Sequence, residues 1–246
     1  MSALDFKKSK LKPWLKKQWC IGKIDGQYIA NMEEVLDFYD WPPKEGGARL
    51  CFDERPCQLL GEVIAALPMK AGKAKREDNE YSRNGTAVVL LAYDLDSGKR
   101  YIEVRERRTK KDYADFMQHL LEEHYANQTQ VHIVQDNLNT HTFGAFYEHL
   151  PAPKARAMAS KLTFHFTPKH GSWLNIAEIE FSALARQCLD RRIDNIEALS
   201  EQVLAWADER NKQSVKVHWS FTVDTAREKM ATQYENVNKA NVKSNN

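Results

Sequence analysis

The chain has 246 residues, 42% hydrophobic and 28% charged, with a formal net charge of +2. That composition supports one large domain, or one domain with an appendage, and excludes wholesale disorder. No apolar run approaches the ~20 residues that cross a bilayer, and so small a net charge says nothing by its sign about partners.

Local charge says more. Residues 1–23 hold seven lysines against one acid, Asp5. The stretch "VRERRTKK" (104–111) holds five Lys or Arg against Glu106. Such clusters are either solvated faces or local contacts to a polyanion. Residues 1–47 read as a basic N-terminal arm and linker, anchored by Trp14 and Trp19, with Pro13 interrupting any single helix. Within them "NMEEVLDFYD" (31–40) has helical spacing at Met32, Val35, Leu36 and Tyr39, ended by "WPPKEGG".

Downstream, "ARLCFDE" (48–54) is a short buried strand running into acids. Residues 68–85 are polar and irregular and read as a long loop. "TAVVLLAYDL" (86–95), the turn "DSGK" and "RYIEVRER" (100–107) form a hairpin. "KKDYADFMQHLLEEHYA" (110–126) is an amphipathic helix. Next come a strand "QVHIVQD" (130–136), a short helix (143–150), a strand "KLTFHFTP" (161–168) and helices at 174–190 and 196–212. Residues 231–246 are asparagine-rich and read as a disordered polar tail. The four cysteines show no metal spacing and read as reduced and structural, which points to the cytoplasm. This order predicts an α/β fold with a mixed sheet. Three antiparallel strands come first, then strands joined by helical crossovers.

Two strands, "ARLCFDE" and "VHIVQDN", carry an acid near their C-terminal ends. Sites in open α/β sheets form at that edge. If the strands are neighbours, Asp53 and Asp136 approach each other, and two close carboxylates require a proton or a cation between them. Mg²⁺ suits such a pair, since it takes oxygen ligands and completes its shell with water and phosphate. A turn former or helix cap is the other reading of each aspartate. The helix from 174 has an apolar stripe of Leu174, Ala177, Phe181, Leu184 and Cys188, with Glu178 and Glu180 on its two flanks. Periodicity does not choose between those two glutamates. Ser172 is the expected cap of that helix.

The stretches "CFDERPCQLLGE", "RRTKKDYADFMQHL", "VQDNLNTH" and "FTPKHGSWLNIAEIE", in this order, resemble the catalytic half of bacterial insertion-sequence transposases of the Tc/mariner superfamily. The resemblance runs from about residue 11 to residue 230. It implies a ribonuclease-H-like (retroviral-integrase-like) fold with a mixed five-stranded sheet flanked by helices, as a catalytic domain over 48–230. It also implies an Asp, Asp, Glu triad that holds two Mg²⁺ or Mn²⁺ ions. By position the triad maps to Asp53, Asp136 and Glu178; the last follows from Leu174-Asn175, two residues, then Glu. The 42 residues between Asp136 and Glu178 exceed the interval of many relatives, the excess falling around "PAPKARAMAS" (151–160).

The implied activity is DNA nicking at the terminal inverted repeats of an element, followed by strand transfer into target DNA, in a homodimer. Bacterial, nucleoid-associated localisation goes with it. Asn137, Asn139 and His141 are candidates to orient water, Asp136 or phosphate, or else to make turn and cap hydrogen bonds. Lys169 and His170, before a helix N-terminus, and Arg107, Arg108, Lys110 and Lys111 are candidate DNA-backbone contacts. Trp173 reads mainly as a core residue. The family also implies a helix-turn-helix reader of element ends, which is not found before Asp53; either a separate polypeptide supplies it or this is a truncated copy. The alternative is a catalytically inactive or domesticated DNA-binding or dimerisation remnant, against which the three intact acids stand.

Overall fold

The computed structural model describes residues 24–64, 72 and 79–243, with side chains described as far as residue 238. The lysine-rich arm with Trp14 and Trp19 lies outside the described residues, as does most of the expected loop over 68–85.

Helix α1 (Gly26–Asp40) starts where the Asp25 carboxylate accepts from the Tyr28 N–H. It is followed by β1 (Gly47–Glu62), β2 (Tyr81–Asp94) and β3 (Arg100–Arg105). Then come α2 (Lys110–His119), a π-helical turn (Leu120–His124), β4 (Gln130–Gln135), α3 (Phe143–His149), α4 (Ala152–Lys161) and β5 (Leu162–Phe166). A 3₁₀ turn (Ser172–Leu174) leads into α5 (Ile176–Gln187), and α6 (Ile196–Lys212), α7 (Val223–Lys229) and α8 (Ala231–Lys243) complete the order.

The five strands form one sheet in the order β3-β2-β1-β4-β5. β1 to β3 run antiparallel, whereas β4 lies parallel to both β1 and β5. This is the mixed sheet the element order predicts. Alternation along the strands makes two cores. Cys51, Val89, Leu91 and Val134 face α1, α5 and α6, while Leu50, Phe52, Leu90 and Ile133 face α2, α3 and α4.

Several elements differ from the sequence reading. β1 runs on to Glu62 and β2 begins at Tyr81, so the two form a long antiparallel ladder. Pro56 fits there because β1 pairs with β4 only as far as Cys51, and beyond that point one side of the strand is an edge. Helix α1 lies inside the expected arm and linker, yet its Met32, Val35 and Phe38 are fully buried. "PAPKARAMAS" forms α4, the crossover helix before β5, and buries Ala155 and Met158. The expected disordered tail carries α8 instead. Its Tyr234 hydroxyl donates to Glu33 at 2.6 Å, which anchors a helix whose polar composition conceals it. Cys51, Cys57 and Cys188 are free.

Candidate active site

The parallel ladder between β1 and β4 ends at the pair Cys51–Val134. Continued by two places, the same register sets Asp53 level with Asp136 on neighbouring strands. The expectation that these strands adjoin is met. The polar run after β4 has a structural cause as well. Gln135 is fully buried, its Oε1 accepting from the Tyr113 hydroxyl at 2.9 Å and its Nε2 donating to the His141 carbonyl at 3.1 Å. The chain therefore curls back after Asp136 and tucks His141 underneath.

His141 is completely buried, with its Nδ1 2.6 Å from Asp136 Oδ1 and its Nε2 3.5 Å from Glu54 Oε2. The closer contact lies off the line of a well-directed hydrogen bond, so Asp136 Oδ1 is buried without an aligned donor. Tyr113 stacks on the imidazole at 4.9 Å and Phe52 meets it edge-on at 5.2 Å. Burial disfavours the imidazolium, but the adjacent Asp136 and Glu54 carboxylates outweigh it and lift the His141 pKa to about 9.

The third acid arrives on α5. Asn175 caps this helix by accepting from the Ala177 N–H at 3.1 Å; Ser172 only opens the preceding 3₁₀ turn. The signal for this cap was present in the sequence, an Asn followed three residues later by Glu ahead of an apolar run. Asn175 also ties the helix to the sheet. Its Nδ2 donates to the Phe52 carbonyl at 2.8 Å and lies 3.5 Å from Asp53 Oδ2.

The apolar stripe Leu174, Ala177, Phe181, Leu184 and Cys188 is buried as expected. The two flanking glutamates have different fates. Glu180 is completely buried and held by Arg100 through Nε at 2.5 Å and Nη2 at 2.8 Å, with Arg210 at 3.3 Å. Glu178 stays half-buried in the first turn and faces Asp53.

Burial pushes the Asp53 carboxyl up to about 7. The Glu54 N–H, donated at 2.8 Å, opposes the shift, and the nearby charges of Glu178 and Asp136 add to it. Asp53, Asp136 and Glu178 therefore share one electrostatic neighbourhood at the end of the sheet where β1 and β4 part. Among the described residues no three His, Cys, Asp or Glu side chains close around a single point. Water and substrate oxygens would have to complete the shell of any ion held here.

The expected DNA contacts scatter. Arg108 reaches the Glu54 carboxylate at 3.3 Å, which places it beside the site. Lys110 pairs with Glu148 at 2.6 Å and Lys111 with Asp115 at 2.7 Å, while Arg107 is exposed. Exposed pairs of this kind are worth under about 1 kcal/mol and exchange readily for phosphate. Lys169 and His170 are exposed and line an open cavity of about 330 Å³ with Tyr28 and Asn31. Asn137 and Asn139 are exposed. Trp173 is 43% exposed rather than core, and its Nε1 donates to the Tyr28 hydroxyl at 3.2 Å. Glu54, Gln135 and Asn175 escaped the sequence reading; Glu54 directly follows Asp53 and so faces the opposite side of the sheet.

Residues 48–200 match the profile of the DDE superfamily endonuclease family. The chain belongs to that family. Solved structures agree on the fold. The chain is similar to the Mos1 mariner paired end complex with Mn (13% identity, TM-score 0.55, covering 85% of this chain and 62% of that one). It is also similar to a pre-cleavage Mos1 transpososome (11%, 0.57, 93% and 68%) and to the mariner Mos1 paired end complex with Mg (12%, 0.52, 95% and 68%). Curated protein sequences give no match. The fold of this DDE endonuclease is thus the ribonuclease-H-like one of the mariner transposases, and the chain spans about two thirds of their length. Among the described residues no helix is long and apolar enough to cross a membrane.

Proposed function

We propose that this chain is the catalytic part of a Tc/mariner-type transposase. It would nick DNA at the terminal inverted repeats of an element and join the freed end to target DNA. The observation that carries this reading is that Asp53 lies within electrostatic reach of Asp136 and Glu178 just beyond the point where the parallel pairing of β1 and β4 ends.

The carboxylates fit divalent cations. Burial, with two other acids nearby, pushes the Asp53 carboxyl up to about 7, and Asp136 Oδ1 is a buried acceptor with no aligned donor. Asp53, Asp136 and Glu178 would together hold the two Mg²⁺ or Mn²⁺ ions. Such a pair of ions, when bound, activates the attacking oxygen and stabilises the leaving one. His141 holds Asp136 from beneath, and Asn175 fixes Asp53 and the start of α5. Arg108, Lys110 and Lys111 would exchange their acidic partners for DNA phosphates. The similar Mos1 structures are paired-end complexes and a transpososome, which supports DNA ends as substrate and a dimer as the working assembly.

The test is cleavage of element-end DNA by the full chain with Mg²⁺ or Mn²⁺. Asp136→Asn should abolish nicking while DNA binding in a gel-shift assay stays intact. Nicking that survives this substitution would refute the triad. Metal-dependent nicking absent from wild type in every format would favour the remnant reading.

A further inference from the structure

From the side of the sheet opposite Asp53, Arg108, Glu54 and His141 form a chain that joins the surface to Asp136 in the site. Arg108 Nη1 lies 3.3 Å from Glu54 Oε1, and Glu54 Oε2 lies 3.5 Å from His141 Nε2. His141 Nδ1 then lies 2.6 Å from Asp136 Oδ1. Arg108 is 56% exposed, but the Glu54 side chain is only 5% exposed and His141 wholly buried. A buried carboxylate with one oxygen turned to a surface arginine and the other to a buried imidazole is more than a solvated acid. It is costly to desolvate, and among the described residues those two partners hold it in place.

We propose that Glu54 is a positioning residue that couples DNA-backbone contact at Arg108 to cation binding at Asp136. This rests on the proposed function for the identity of the two ends. With Arg108 paired to Glu54, the Glu54 charge is half-satisfied and His141 leans on Asp136. When Arg108 turns to a phosphate, Glu54 has only His141 left and draws it away from Asp136. Asp136 Oδ1 is then released to a cation. Tyr113 stacked on the ring and Phe52 meeting it edge-on flank the imidazole between the two carboxylates. Linkage makes the effect reciprocal, so a bound cation also strengthens the phosphate contact.

The experiment measures Mn²⁺ affinity of the full chain by electron paramagnetic resonance, first without DNA. Arg108→Gln should mimic the phosphate-bound state and tighten Mn²⁺ binding about fivefold or more, at the low end of ordinary coupling. Arg107→Gln removes the same charge one residue away and should change it less than about twofold, as expected for a screened surface charge. In a Glu54→Gln background, Arg108→Gln should have no further effect. Adding a short DNA duplex should tighten Mn²⁺ binding less in Arg108→Gln than in wild type.

Equal effects of the two arginine substitutions would overturn the coupling. So would an Arg108→Gln effect that persists in the Glu54→Gln background, or an undiminished response to DNA. If Glu54→Gln does not fold, the two surface arginines still decide the matter. Wild-type Mn²⁺ binding that ignores Asp136→Asn would overturn the cation site itself, and with it the relay. Asp136-dependent binding without the arginine difference would overturn the relay alone.

Discussion

The Asp53 carboxyl should make the cation-free protein less stable at alkaline than at acid pH. Its pKa rises from 3.8 unfolded to about 7 folded, chiefly through burial. Below the unfolded value both states hold the proton and the site costs nothing. Between the two values the unfolded chain has ionised but the folded one has not, so folding stability falls as pH rises. Above about 7 the full penalty applies, which at 1.36 kcal/mol per unit is about 4 kcal/mol.

Asp53→Asn removes the charge and keeps an oxygen for the Glu54 N–H. Its new amide, however, faces Asn175 Nδ2, which now lies 3.5 Å from Asp53 Oδ2, and this gives part of the gain back. The expected result is a variant about 2–3 kcal/mol more stable than wild type at pH 8 and nearly equal to it at pH 4. Urea unfolding in EDTA at both pH values reads this directly. Mn²⁺ at pH 8 should then stabilise wild type more than the variant. Equal stability at pH 8, or a wild-type advantage that grows with pH, would refute the account of a carboxyl crowded among acids and out of water.

Three further outcomes are expected. Glu180→Ala strands Arg100 in the interior and should cost about 3–5 kcal/mol in urea unfolding, whereas Glu178→Ala, on the half-buried flank, should cost under about 1 kcal/mol and abolish nicking. Asn175→Ala loses the cap of α5 and its bond to Phe52, so a loss of about 1–2 kcal/mol should accompany weaker Mn²⁺ binding. A Cβ on Gly171 would lie 2.5 Å from Pro168 Cγ and 2.9 Å from its carbonyl oxygen. Gly171→Ala should therefore displace the loop before α5 and lower the melting temperature, by overpacking worth about 1–3 kcal/mol.

The strands of the central sheet were legible because their apolar runs are bounded by acids and turns, and the helices because their stripes repeat near 3.6. The far half of β1 was not legible. "RPCQLLGE" holds a proline and mixed polarity, and it is a strand only because β2 lies beside it. Helix α8 escaped for a similar reason, since Tyr234 reaches Glu33 across the fold and nothing local announces that contact. Charge clusters told only that cations were present. Arg108 turned out to touch a buried carboxylate, whereas Lys111 pairs within its own helix.

By itself the sequence determined that an acid follows the apolar run in β1 and in β4, because side-chain alternation is local, although β1 itself runs on to Glu62. It also narrowed the helical acid to Glu178 or Glu180, since a single helix can show only which flank each residue occupies. The family signature pointed to Glu178, and tertiary packing gave the two side chains different surroundings. Arg100, on a strand 80 residues away, neutralises Glu180 in the core and leaves Glu178 to face Asp53. Which carboxylate is buried in an ion pair and which stays at the surface depends on charges brought from other elements, and only the folded chain brings them.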